Sequence, residues 1–332
     1  MTRTAFRPYA SAIVAYGERH PEAVCLTGDL TASCEIDLFR DRFPARYFNF
    51  GMAEQNILGI AGGMAKGGLL PIVHTFGVFL TRRAFDQVSM AIGVPHARVR
   101  LMGFLPGLTT PGGVTHQAID DVALMASVPG MTVVDLGDAT EIASALDAVY
   151  DIDGPVYCRV MRGDVPVLFE TPLVLGKARL LGRGHDLCLI SASVTTVEAI
   201  KAAETLRAAG VSVTHLHIAT LKPCDDPAIV EAMAAARAVI TLENHLVRGG
   251  LGTTIAETIA RNGLGRRLVT LGLQDSYAAG GKLPYLLGRF GMDATAVIRA
   301  AEALLDLRVA DATADGTRAA LGRGDESRQE AL

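Results

Sequence analysis

Tryptophan is missing from this chain of 332 residues, and aromatic residues make up only 5% of it, whereas glycine reaches 35. Scarce large rings and plentiful small residues suit tightly packed α/β layers. Cysteine is sparse. Cys25, Cys34, Cys158, Cys188 and Cys224 are scattered, with no Cys-x-x-Cys pair. An odd, unpatterned set excludes a disulfide framework and reads as reduced thiols in a cytoplasmic protein. A basic field is also lacking: the net charge is −4, which argues against nucleic acid as a partner. No apolar run reaches the roughly 18 residues of a membrane helix. The opening Met-Thr-Arg-Thr-Ala-Phe-Arg-Pro has no apolar core of the signal-peptide kind. What is present is 50% hydrophobic and 20% charged, the balance of a packed globular protein of about two domains.

Short apolar, β-branched runs alternate with helical patterns. Candidate strands fall at residues 24–26, 70–74, 99–104, 132–136 and 156–160, with helices at 5–19, 57–66, 81–92, 117–127 and 140–150. A second series has strands at 187–191, 211–217, 238–243 and 268–271, with helices at 195–209, 227–236, 251–262 and 294–305. Alternation of this kind predicts parallel or mixed sheets covered on both faces, hence an α/β protein of two three-layer domains. The domains are expected at 1–165 and 187–309. A Pro- and Gly-rich linker at 166–186 holds a short strand near 173–175, and a polar tail follows at 310–332.

Within this frame one acid stands out. A β-leaning aromatic run, Tyr47 to Phe50, stops at Gly51, and Glu54 then sits at the mouth of a Gly/Ala-rich helix. Burying a lone carboxylate among apolar neighbours is costly, so it persists mainly where it has a partner. An acid facing the helix dipole is the plainer alternative. The other candidates each have a plain reading too. Phe76 and Phe79 could be a core pair at i, i+3. Asp29, in Thr-Gly-Asp-Leu-Thr-Ala-Ser (27–33), could be turn chemistry. His116, in Gly-Val-Thr-His-Gln (113–117), could be a satisfied structural histidine. Arg162, in Arg-Val-Met-Arg-Gly-Asp (159–164), could be a solvated charge at a strand end.

Taken together, these segments resemble the pyrimidine-binding and C-terminal parts of the thiamine diphosphate enzymes transketolase and deoxyxylulose-phosphate synthase. Gly-Met-Ala-Glu-Gln (51–55) matches the family's acid segment, and Gly-x-Thr-His-Gln matches at 113–117. The resemblance covers residues 3–305. It implies that Glu54 bonds N1′ of the aminopyrimidine and favours the tautomer whose 4′-imino nitrogen takes the C2 proton, so the cofactor performs the carbon chemistry. It implies further that Phe76 and Phe79 hold the ring and that Asp29 lies close to it. Arg82 stands where deoxyxylulose-phosphate synthase has an arginine at the cofactor. His116 would donate to, or relay protons with, substrate hydroxyls. Ser33, Arg162 and Arg3 would meet sugar phosphate, a guanidinium being suited to bidentate grip of an anion. The segments 239–252 and 272–277 look like the family's C-terminal domain, which mainly supports assembly.

The resemblance extends only to the second half of a full-length transketolase. The other half anchors the diphosphate through a metal, using Gly-Asp-Gly, and that tripeptide does not occur in this chain. Near-octahedral Mg²⁺ needs oxygen ligands that these residues do not supply. The expectation is therefore a split enzyme in which an α-type partner chain carries the diphosphate and Mg²⁺ site, the assembly being α2β2. Its function would be transfer of a two-carbon ketol unit from a ketose to an aldose. The pattern departs from transketolase at Phe104-Leu105-Pro106, where His-Asp-Ser is expected, and at Gly112, where Asp is expected. Both losses bear on the sugar, and a sugar phosphate or a modified sugar is the expected substrate. The rival readings are the β subunit of a 2-oxo acid dehydrogenase or decarboxylase, whose active loop usually carries paired histidines, and a non-catalytic scaffold.

Overall fold

The computed structural model describes residues 3–309; the expected tail at 310–332 lies outside the described residues. A seven-stranded sheet runs, edge to edge, through Thr220–Lys222, Thr132–Asp135, Val156–Val160, Arg100–Phe104, Leu70–Phe76, Ala23–Thr27 and Tyr47–Asn49. Every pairing is parallel except that of Thr220–Lys222 with Thr132–Asp135. The inner strands are buried along their whole length, as strands covered on both faces must be. Alternate side chains divide between two cores. Val24, Leu26, Val73 and Leu101 pack with Ile57, Leu58, Val88 and Met125 on one face. Cys25, Ile72, Met102 and Cys158 pack with Tyr9, Ile13, Phe39 and Ile142 on the other.

A five-stranded sheet follows, in the order Arg267–Leu273, Ala238–Leu246, Leu187–Ser191, Val213–His217 and Arg179–Gly182, with only the last pairing antiparallel. The two sheets interlock. Thr220–Lys222, beyond the linker in sequence, adds an edge to the first sheet. The core on the Ile57 face continues into Ile190, Leu216, Val239 and Ile255.

Several elements depart from the expected bounds. Residues 173–175 form no strand, because Leu173 N donates to Ser144 Oγ (2.9 Å) and Gly176 N to Thr220 Oγ1 (2.9 Å); the linker's strand is Arg179–Gly182. The first helix starts at Pro8, the ring presetting the φ of a helix start. Residues Thr4–Phe6 instead pair with Asp164–Pro166. The helix expected at 117–127 starts at Asp121. The one expected at 81–92 is broken into Gly77–Thr81, Phe85–Gln87 and a π-helical turn Val88–Gly93, and π-turns concentrate at functional sites. Two short helices, Asp37–Arg42 and Leu283–Arg289, have no counterpart in the sequence pattern.

Candidate active site

Glu54 opens the helix Glu54–Lys66, directly after strand Tyr47–Asn49 and the turn at Gly51. Its carboxylate is buried. Arg83 Nη1 donates to Oε2 at 2.9 Å. Oε1 is buried with no hydrogen-bond partner, and a Cβ on Gly28 would stand 3.5 Å from it. A buried carboxylate oxygen without a donor is expensive to keep. Within this chain that acceptor is left unused.

Aromatic rings lie beside this acid. The guanidinium of Arg83 sits 4.1 Å from the Phe79 ring centroid, in cation–π range. Phe79 stacks on Phe76 with centroids 5.8 Å apart. His116 meets both rings edge-on, at 5.5 Å from Phe79 and 6.0 Å from Phe76. Its Nδ1 pairs with Thr115 Oγ1 at 2.8 Å. Beyond Phe76 the guanidinium of Arg162 lies 5.7 Å from that ring, and Arg162 Nη1 donates to the Ser33 carbonyl at 3.3 Å. Arg83, Phe79, Phe76, His116 and Arg162 thus form one run of ring and guanidinium contacts, with buried Glu54 bonded at one end and the Ser33 carbonyl at the other. A flat heteroaromatic ring with an N–H on its edge fits the first part, and an anion-bearing substrate fits the last. A cleft of about 380 Å³ opens beside Arg162, lined by Leu105, Thr109, Pro111, Met161 and Asp164.

The remaining predicted residues sit at the margins. Asp29 is exposed at φ +64°. Its N–H donates to Asn49 Oδ1 (3.0 Å), which also accepts from Gly51 N (3.1 Å), so Asn49 ties Asp29 to the turn before Glu54. Arg3 is exposed, and its carbonyl accepts from Val167 N at 2.8 Å. Arg82, expected at the cofactor, pairs with the loop that carries His116. Its Nε lies 2.9 and 3.0 Å from the Asp120 oxygens, and Nη1 donates to the Val114 carbonyl at 3.3 Å.

The sequence reading missed Arg83, Asn49 and Glu35. Arg83 is the second of an Arg-Arg pair, and only the break in the helix decides which of the two turns to Glu54. Asn49 was in view beside Glu54 but carried no sign of its contacts. Glu35 is buried close to Arg162. Its Oε1 accepts from Gly163 N at 2.7 Å, and burial pushes its carboxyl above the usual range, against the pull of that N–H and of Arg7 and Arg162. Among the described residues, no group of three or more His, Cys, Asp or Glu is placed to hold a metal ion. No helix among them is long and apolar enough to cross a membrane.

Comparison with known proteins accounts for this arrangement. Residues 2–167 match the transketolase pyrimidine-binding domain and residues 176–297 the transketolase C-terminal domain. A putative uncharacterized transketolase family protein of Sinorhizobium fredii is 38% identical over 90% of this chain and 88% of its own length. A 6-deoxy-6-sulfo-D-fructose transketolase subunit of Clostridium sp. is 34% identical over 88% of this chain and 92% of its own. A split-gene transketolase solved as an inactive beta4 tetramer superposes with a TM-score of 0.82. It is 34% identical and covers 90% of this chain and 97% of that one. The chain belongs to the transketolase family. It corresponds to the section that carries the pyrimidine-binding and C-terminal domains, in a family of ketol transferases that depend on thiamine diphosphate.

Proposed function

We propose that this chain is the β-type subunit of a split transketolase, moving a two-carbon ketol unit from a ketose donor to an aldose acceptor. An α-type partner chain would hold the diphosphate and Mg²⁺, in an α2β2 assembly. Bound thiamine diphosphate would supply the carbanion equivalent that this chemistry needs. The single observation that carries the reading is Glu54, buried at a helix start with Oε1 unpartnered beside stacked phenyl rings. Arg83 fixes Oε2, which leaves Oε1 to accept from the pyrimidine edge. Phe76 and Phe79 would bury the ring face, with Asp29 closing the approach near Gly28. His116 would donate to or accept from substrate hydroxyls, while Arg162, Ser33 and Arg3 would form the anionic end of the substrate site. The cleft beside Arg162 has apolar walls at Leu105, Pro111 and Met161, which favours a sugar phosphate or modified sugar that presents few hydroxyls there. The domain bounds 1–165 and 187–309, with linker 166–186, belong to this reading.

Relatives of nearly the same length support a divided enzyme, and the relative assembled as beta4 is described as inactive. The test is reconstitution. The purified chain, an α-type chain of the family, thiamine diphosphate and Mg²⁺ are combined and assayed for ketose–aldose exchange and for pyruvate decarboxylation. Exchange by the mixture and by neither chain alone is the expected result. Pyruvate decarboxylation without exchange, or full exchange activity with Glu54→Ala, overturns the reading.

A further inference from the structure

The segments 239–252 and 272–277 of the second domain, which the proposed chemistry leaves unused, lie against the loop that carries His116. That loop runs from Pro106 to Ile119 and has no regular structure beyond a single bridge between Pro106 and Ala118. Ordering irregular backbone costs about 1–2 kcal/mol per residue, so something must hold it. Four hydrogen bonds with the second domain do so. The Asn244 side chain, fully buried, accepts from Leu108 N at 2.9 Å and donates to the Pro106 carbonyl at 3.0 Å. Leu246 N donates to the Ile119 carbonyl at 2.8 Å. Gln117 Nε2 donates to the Ala279 carbonyl at 3.3 Å. Leu108 and Ile119 are themselves buried in the second domain's core, with Leu242, Leu273, Ala278 and Leu286.

The backbones meet with no room to spare. A Cβ on Gly280 would stand 2.5 Å from the Pro111 carbonyl oxygen, and one on Gly107, at φ +54°, 2.3 Å from Asn244 Oδ1. From the first domain, Arg82 closes the same loop through Asp120 and the Val114 carbonyl, with the Tyr277 ring 5.9 Å from its guanidinium. Glu54 and Phe79, by contrast, sit on helices that follow strands of the first sheet and make no hydrogen bond to these anchors.

We infer that the second domain, through Asn244 and the Ala279–Gly280 backbone, sets the position of His116 and so governs affinity for the sugar independently of affinity for the cofactor. Asn244 and Gly280 are positioning residues, and Arg82 supports them from the other side. The inference rests on the reading of His116 as a substrate-contacting group.

The test uses the full chain and its complex with an α-type chain. In Asn244→Ala and Gly280→Ala, hydrogen exchange of peptides covering residues 105–119 should accelerate at least tenfold, while residues 54–66 stay unchanged. In the complex, KM for the sugar should rise at least fivefold while the calorimetric Kd of thiamine diphosphate with Mg²⁺ stays within twofold. Gly281→Ala, whose Cβ would meet only the side chains of Tyr285 and Leu286, should change neither quantity. Unchanged exchange, unchanged KM, or an equal rise in KM and cofactor Kd overturns the inference. Should Asn244→Ala not fold, Gly280→Ala decides. Exchange is read on the chain alone, so a complex inactive in ketol transfer defeats the functional reading while the anchoring is still decided.

Discussion

Asp121 and Glu54 occupy equivalent places: each is a buried carboxylate at the first position of a helix, and each is paired with an arginine. Their surroundings differ in how completely the oxygens are used. Asp121 accepts from Tyr157 Oη at 2.6 Å and from Arg159 Nε and Nη2 at 2.8 and 3.2 Å. Arg159 has no exposed surface, also pairs with Asp135 at 2.7 Å, and donates to the carbonyls of Ala118 and Asn244. Glu54 has one partner, Arg83, whose side chain is 44% exposed, and one oxygen with none. The first cluster is closed by buried partners and joins the domains; the second is open only at the half-exposed Arg83 and keeps one acceptor unused. An orphan oxygen alone does not mark a binding site, since Asp135 Oδ1 also lacks a partner. The Asp135 oxygen belongs to a cluster whose arginine has no exposed surface, whereas Glu54 reaches the stacked phenyl rings through the half-exposed Arg83.

The strongest way to break this contrast is Arg159→Leu. Removing one member of a buried ion cluster strands its partners, so we expect a loss of about 3–5 kcal/mol, seen as a lower denaturant midpoint. A loss below about 1 kcal/mol, the usual worth of a solvated pair, would put the two clusters in the same class.

A third acid extends the comparison to pH. Glu141 is buried between the domains. Burial alone would raise its carboxyl, but His217 at 3.1 Å, the Gly137 N–H and Arg179 outweigh this and hold it down to about 2. A lowered carboxyl stabilises the fold above its unfolded value near 4.5, and the contribution is lost as pH falls toward 2. At about 1.4 kcal/mol per pH unit of displacement this amounts to roughly 3 kcal/mol. Urea midpoints should show the wild type well above Glu141→Gln at pH 5, with the gap narrowing at pH 3 and closing only as pH falls to 2. Glu243 has the opposite sign. Its oxygens accept only the N–H groups of Leu251 and Gly252, and burial pushes it up to about 8. Its favourable contribution is full below pH 4.5 and fades as pH rises toward 8, so wild type should lose ground to Glu243→Gln across that window. A parallel pH trend for both variants would show that partners do not decide the sign.

Glu54→Gln tests the open cluster directly. The reconstituted complex should lose activity on the order of a hundredfold, the scale of a missing proton-handling group. Stability should change by less than about 1 kcal/mol, because no fully paired network is broken. A variant that loses stability in step with activity would make Glu54 a second Asp121.

These acids also mark how far the sequence could be read. The β-branched runs, set between helical periods, located both sheets to within a few residues, because buried parallel strands have little choice of composition. Glu54 was legible from its place after Gly51, and Phe76, Phe79 and His116 from matched segments; the structure brings all four together. Asp121, Arg159, Glu141 and His217 gave no such sign. Their partners lie 24 to 76 residues away in the chain, and nothing in local spacing announces a contact made only when distant strands and helices, or in the case of Glu141 and His217 two domains, come together. The broken helix at 81–92 was hidden for a related reason. Its period is helical, and the turn is imposed by the tertiary packing around Phe79 and Arg83.

The smallest effect concerns the Arg82-Arg83 pair, adjacent in sequence and opposite in contacts. Arg83 is half exposed, so its bond to Glu54 adds little to stability, under about 1 kcal/mol by the behaviour of solvated ion pairs. Its geometric part is larger. With Nη1 on Oε2, the carboxylate plane is fixed and Oε1 is directed to the ring edge; without it, the carboxylate can turn and spend both oxygens on water. Arg83→Met should therefore weaken thiamine diphosphate binding by up to about tenfold, roughly 1.4 kcal/mol, with Arg83→Lys intermediate because a point charge replaces a planar fork. Arg82→Met should leave the cofactor Kd within twofold and raise only KM for the sugar, since Arg82 holds the His116 loop through Asp120 and Val114. Calorimetry on the reconstituted complex separates the two, and an equal response from both arginines would mean that the break in the helix does not sort them.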